Sequence, residues 1–182
     1  MKLSPLLLAL AGLALATAGC QSTPNTNNIV QGGSVSSSTA GGLTGAQVRN
    51  NIDLSATGTK VKAAYLMDEQ NQYKEANTAA LNEKVILTIE LDTGWVKENG
   101  KSYIGASERI VAKDGTVVLD APDLLSDYDQ TGLPADIAKL INLTAIIDKV
   151  EPGFEDFTVQ FRVWDKKGTG EVKGSYVFTV KP

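Results

Sequence analysis

The 182-residue chain contains no histidine. That absence removes the commonest general base, the commonest transition-metal ligand and the usual pH switch together. A Ser-His-Asp triad, a Cys-His dyad and a histidine zinc site are therefore excluded, while lysine- or carboxylate-based chemistry stays open. Cysteine is nearly absent as well. The single thiol, Cys20, has no second cysteine to pair with, so stability must come from an apolar core rather than a disulfide. Long apolar runs are also lacking. The longest, Leu6 to Ala16, is about half the roughly 20 residues that a spanning helix needs. Positive charge is in the minority, with 17 basic and 21 acidic residues and a net charge of −4. No basic excess is available for a nucleic-acid surface, so no nucleic-acid partner is expected.

What is present begins with an N-terminal address. Lys2 supplies a positive start, Leu6 to Ala16 an apolar stretch, and Ala18 and Gly19 a pair of small residues. These are the parts of a secretory signal peptide over residues 1–19. The small pair is followed directly by Cys20, then Gln21 and Ser22. This segment resembles the lipobox of bacterial lipoproteins, although Thr17 stands where that family most often has Leu. The resemblance implies that the Cys20 thiol receives diacylglycerol, that the peptide is cut before Cys20, and that the new amino group is acylated. More than one acyl chain gives stable membrane attachment where one is marginal. The alternative is an ordinary signal peptide that leaves a cysteine at its end. In the family, Asp directly after the cysteine favours inner-membrane retention. Gln21 and Ser22 therefore imply a lipid anchor in the outer membrane.

After Cys20, no charged residue occurs from Gln21 to Val48. This Ser-, Thr-, Asn- and Gly-rich composition cannot bury enough apolar surface to offset chain entropy. Residues 20–59 are expected to form a flexible tether that ends in a transition, Ala46 to Lys60, with a short strand or turn as an option. The uncharged part, about 30 residues long, spans roughly 30 Å on average and roughly 100 Å at full stretch. It would let a domain reach a partner in the cell envelope, or act simply as a spacer for processing and transport.

Residues 60–182 are long enough for one domain with its own core, and they read mostly as strands. In Lys84 to Leu91, Val85, Leu87, Ile89 and Leu91 share one face, with Thr88 and Glu90 opposite. In Phe157 to Val163 the alternation is strict, and Tyr176, Phe178 and Val180 continue it in the last run. Lys60 to Met67, Tyr103 to Lys113, Thr116 to Asp120 and Leu143 to Asp148 supply four more candidates. Asn99-Gly100 and Asp114-Gly115 are dipeptides of type I′ hairpin turns. A short helix is expected over Pro134 to Ile141, where Ile137, Leu140 and Ile141 make an apolar stripe. Glu69 to Leu81 reads as a polar loop. Together these predict an all-β fold, an antiparallel immunoglobulin-like β-sandwich of about seven strands with one short helix.

Chemistry-bearing residues collect in two loops. Asp127, Asp129 and Thr131, with Gly132 following, match the first half of an EF-hand-type calcium loop. Ala138, however, stands at the twelfth position, where a bidentate Glu is needed. Calcium is thus a candidate ligand, no other cofactor is expected, and a solvated acidic loop explains the same residues. Asp123, Asp127 and Asp129 are also the carboxylates of a conceivable hydrolase, with no spacing that marks an acid–base couple. The second loop, Trp164-Asp165-Lys166-Lys167-Gly168-Thr169-Gly170, lacks the spacing of a phosphate-binding P-loop and reads as a mixed-charge hairpin. Trp164 to Gly168, with Asn99 to Ser107, is similar to segments of uncharacterised sandwich-domain lipoproteins, a likeness that implies no activity. Trp95, Tyr103, Tyr128 and Trp164 fall near turns or strand ends, where aromatics anchor partners, stack on sugars or pack loops. The leading expectation is a non-enzymatic, membrane-anchored lipoprotein with a binding or structural role among envelope proteins. The alternative is a module for carbohydrate or calcium.

Overall fold

A computed structural model of the chain describes residues 42–153 and 155–181. The signal peptide, Cys20 and the tether up to residue 41 lie outside the described residues. Two sheets face each other. The first has the order β1 (Gln47–Val48), β3 (Lys60–Met67), β5 (Lys84–Thr93), β10 (Leu140–Ile146). The second runs β2 (Asp53–Thr57), β12 (Glu171–Lys181), β11 (Asp156–Asp165), β7 (Ile104–Ala112), β8 (Val117–Ala121), with β4 (Thr78–Ala80) also on β12. A small third sheet pairs β6 (Lys101–Ser102) with β9 (Leu133–Pro134). All seven candidate strands of the sequence are present, and the pairings among them are antiparallel. The protein is an all-β sandwich.

Period-two alternation decides which side chains lie between the sheets. Val85, Leu87, Ile89 and Leu91 of β5 are buried, as are Phe157, Val159, Phe161 and Val163 of β11 and Tyr176, Phe178 and Val180 of β12. Burying one such side chain contributes roughly 1.5–3 kcal/mol, so this shared layer dominates the stability.

Three expectations need correction. The helix over Pro134 to Ile141 is a single 3-10 turn, Ile137–Lys139, set between β9 and β10. Ile141, Leu143 and Ala145 fit a strand as well as Ile137, Leu140 and Ile141 fit a helix. Pairing with β5 along all seven residues of β10 selects the strand and leaves Ile137 and Leu140 exposed. Next, the packed domain begins before residue 60. β2 pairs with β12, and Leu43, Ile52, Leu54 and Ala56 belong to the core. The composition of residues 42–59 hides this because only a few apolar side chains are needed to cover one sandwich edge. Finally, only one hairpin turn is of the expected type. Asn99 and Gly100 both have positive φ (52° and 77°), with Glu98 and Lys101 exchanging backbone hydrogen bonds. At Asp114-Gly115 only Gly115 is left-handed. There the Gly115 N–H donates to the Ala112 carbonyl and the Ala112 N–H to Thr116, which makes a longer loop with the left-handed residue last.

Candidate functional site

The loops singled out by the sequence come together at one end of the sandwich. Lys166, in the β11–β12 connection, reaches across to the segment after β8. Its ammonium donates to Asp123 Oδ2 at 2.6 Å and also to Asp129. Asp123 Oδ1 accepts the backbone N–H groups of Leu125 (3.0 Å) and Ala106 (3.3 Å). Burial works against the Lys166 charge, but the two carboxylates outweigh it and raise the ammonium's pKa. For Asp123 burial is again opposed, here by Lys166 and the two N–H donors, which hold its carboxyl below the usual range.

The neighbouring residues are equally engaged. Asp165 is buried; its Oδ2 accepts from the Val96 N–H (2.7 Å) and its Oδ1 from the Lys167 N–H (2.8 Å). Trp164 lies across Gly105, where a Cβ would come within 2.2 Å of the indole, and Arg162 and Lys166 flank its ring. Trp95 is buried and donates its indole N–H to the Ala138 carbonyl at 2.8 Å. Lys167 sits over the Tyr103 ring. Asp129 therefore answers a lysine, and among the described residues no group of acidic side chains is gathered to hold a metal ion. Of Asp127, Asp129 and Thr131, the residues of the expected calcium loop, Asp129 is engaged by Lys166. Asp123 and Asp129 share the Lys166 ammonium and so clamp two loops together.

A different arrangement occupies the outer face of the first sheet. Tyr65 and Glu90 lie on adjacent strands, with Thr88 and Asn142 in the row beside them. The Tyr65 hydroxyl donates to Glu90 Oε1 at 2.6 Å, Lys62 donates to Glu90 Oε2 at 2.9 Å, and Thr88 donates to Asn142 Oδ1 at 2.9 Å. Burial, then the Glu90 contact, pushes the Tyr65 hydroxyl well above its ordinary pKa. Tyr65 and Lys62 together lower that of Glu90. Tyr73 meets Tyr65 edge-on at 4.7 Å between ring centroids and remains 59% exposed. Arg49 lies over the Tyr73 ring, 5.3 Å from its centroid. Gln47, Arg49, Lys62, Tyr65, Tyr73 and Glu90 line a groove of about 260 Å3.

Local structure brings the parts of the groove together. Asn50 and Asn51, both with positive φ, turn the chain after β1, and the Ile52 N–H donates to the Arg49 carbonyl. Asparagine tolerates this conformation better than most residues. The Asn50 side chain then accepts from the Leu66 N–H and donates to the Lys74 carbonyl and to Asn77 Oδ1. Asn77 returns a bond to the Asn50 carbonyl at 2.7 Å. This amide pair ties the Arg49 turn to the Tyr73 loop. Two signals of the groove stand in the sequence. Arg49 is the only cation between Lys2 and Lys60, and Tyr65 alternates with Leu66 in a predicted strand.

A third polar feature is internal. Glu108 shares the inward row of β7 with Ile104, Ala106 and Ile110, and its Oε1 has no protein hydrogen-bond partner. Burial alone pushes its carboxyl up to about 7. The Tyr176 hydroxyl is likewise buried and without a protein partner. Burial first, then the Glu108 charge, raises its pKa well above the ordinary value.

The fold and these surfaces define the class: a mainly antiparallel β-sandwich, with β1 on β3 and β4 on β12 as parallel pairs, and a polar, aromatic groove on one outer face. No protein-family model and no curated protein matches the chain. Among solved structures, the C-terminal domain of Wzt is similar at 11% identity and a TM-score of 0.48, over 76% of this chain and 83% of that one. A Niemann-Pick type C2 protein from the Japanese carpenter ant is similar at 13% identity and a TM-score of 0.38, over 70% of this chain and 98% of that one. At these values neither likeness bears on what this chain does.

Proposed function

We propose that this chain is a lipid-anchored protein of the bacterial outer membrane whose sandwich is a non-enzymatic binding module. Cys20 attaches it, and the groove beside Tyr73 is the binding surface. The observation that carries the binding reading is Arg49. The chain has three arginines, Arg49, Arg109 and Arg162. Arg109 pairs with Asp120, and Arg162 with Glu171. The Arg49 guanidinium has no carboxylate and no hydrogen-bond acceptor among the described residues, and it is held against an exposed ring in a concave surface. Its exposed fork of donors, engaged by no protein acceptor, is open to a ligand that brings two oxygens.

Two experiments test the two halves. Cys20→Ser should release the protein from membranes or leave it unprocessed, as read by fractionation and labelled-lipid incorporation; normal lipid labelling of that variant overturns the anchor. A photoreactive residue at position 73 of the anchored chain should crosslink to an envelope component. Absence of any adduct, with adducts forming from exposed sites elsewhere on the domain, overturns the choice of groove.

A further inference from the structure

We infer that the groove takes an anionic saccharide, with the sugar ring against Tyr73 and a carboxylate or phosphate on Arg49. This rests on the binding reading above and names its ligand class.

Charge comes first. The chain is acidic overall, yet the groove contains Arg49 and Lys62 against Glu90 alone, a local excess of one positive charge. Glu90 is already occupied, since its two oxygens accept from Tyr65 and Lys62. It is thereby fixed in the wall, with its charge paired to Lys62. The unused donors are the Arg49 guanidinium and the Gln47 amide. A planar fork of N–H groups matches the two oxygens of a carboxylate or phosphate in a bidentate contact.

Shape and surface supply the rest. Tyr73 contributes an exposed aromatic ring, and Tyr65 supports it edge-on. A volume of about 260 Å3 falls just below the range typical of drug-sized ligands and suits a single sugar ring. Beyond it the outer face continues through the exposed Asn142 and Thr144 of β10, with an amide and a hydroxyl in adjacent rows, while Thr88 is buried beneath Asn142 and holds its amide oxygen. Such groups match the hydroxyls of the next sugars in a chain. The groove itself offers an acidic peptide little apolar lining beyond the two tyrosine rings and Ala63, with Leu140 exposed opposite Glu90 on the same face.

The test is calorimetric titration of the full processed protein in detergent. Trigalacturonate and glucose 6-phosphate distinguish the carboxylate source from the phosphate source. Galactotriose serves as the uncharged saccharide and inorganic phosphate as the anion without a ring. At least one charged saccharide should bind at least tenfold more tightly than galactotriose and than inorganic phosphate. Arg49→Ala and Tyr73→Ala should each weaken that binding at least tenfold with unchanged thermal unfolding, and Tyr73→Phe should retain it. Binding of neither charged saccharide overturns the inference. So does equal binding of inorganic phosphate that is indifferent to Tyr73→Ala. Equal binding of galactotriose that depends on Tyr73 overturns the anionic requirement and leaves the binding module standing. Crosslinking from position 73 to a protein, with no saccharide bound, overturns the ligand class alone. No ligand and no crosslink bring down both readings.

Discussion

The loop end around Lys166 and the outer-face groove around Tyr73 contain similar residues in opposite states. At the loop end, Lys166 is shared between two aspartates, and Asp165 is occupied by two backbone N–H groups. In the groove, Glu90 is likewise satisfied, but Arg49 retains its donors. Density of charged and aromatic residues along the sequence therefore marks a place where the fold needs them, to hold irregular loops against one another. The groove proposed for binding is marked instead by a cation that has no carboxylate partner among the described residues. Both regions draw on distant positions: the loop end joins Val96, Asp123 and Asp129 to the Asp165–Lys167 segment, and the groove runs from Gly45 to Glu90.

Three experiments put that contrast at risk. The largest effect is expected at Glu108, an unsatisfied group placed in the core instead of at the surface. Its folded pKa, about 7, lies above the ordinary carboxylate value of about 4.3. Between those values the folded protein keeps a proton that the unfolded chain has lost. Stability should therefore fall as pH rises through that window and stay lower above it. Each pH unit between the two values is worth about 1.4 kcal/mol, so the full loss is about 4 kcal/mol. Denaturant titrations at pH 4.5 and pH 8 should show this fall in the native chain and its absence in Glu108→Gln. An equal fall in the variant places the effect elsewhere.

A smaller effect is expected at the clamp. Lys166→Met keeps the length of the side chain but leaves Asp123 and Asp129 without their cation. About 1–2 kcal/mol of stability should be lost, by analogy with other half-buried charged hydrogen bonds. Saccharide binding should be untouched. Loss of binding together with normal stability would reverse the roles assigned to the two regions. The smallest effect on folding belongs to the groove. Arg49→Lys should change stability by no more than about 0.5 kcal/mol, the usual limit for an exposed site. It should nonetheless weaken trigalacturonate, because an ammonium cannot reproduce the bidentate fork. A Lys variant that binds as tightly as the native chain would reduce Arg49 to a point charge.

Much of the architecture is legible because a half-buried strand writes its two faces into alternate positions. Val85 to Leu91 and Phe157 to Val163 place their apolar rows toward the core as that rule requires. The same rule applied to Ile104, Ala106 and Ile110 puts Glu108 among them, so its burial is readable in principle. Short edge strands are not. β1, β2 and β4 each add five residues or fewer and are held by pairing with β3 or β12, contacts that no local pattern encodes. The start of β10 fits both a helical and a strand period, and only pairing with β5 chooses between them.

Local rules suffice for the all-β class, the inward rows, the position of most turns and the lipobox-like segment at Cys20. Period, turn chemistry and the order of residues around one cysteine are all written within short stretches of chain. Which charges satisfy one another is settled only when the sheets assemble. Lys166 meets Asp123 and Asp129 across a gap of about 40 residues, and Arg49 meets Tyr73 because the Asn50–Asn77 amide pair binds two turns together. Electrostatic satisfaction depends on distances of a few ångströms, and those distances are set by sheet pairing between segments far apart in the chain.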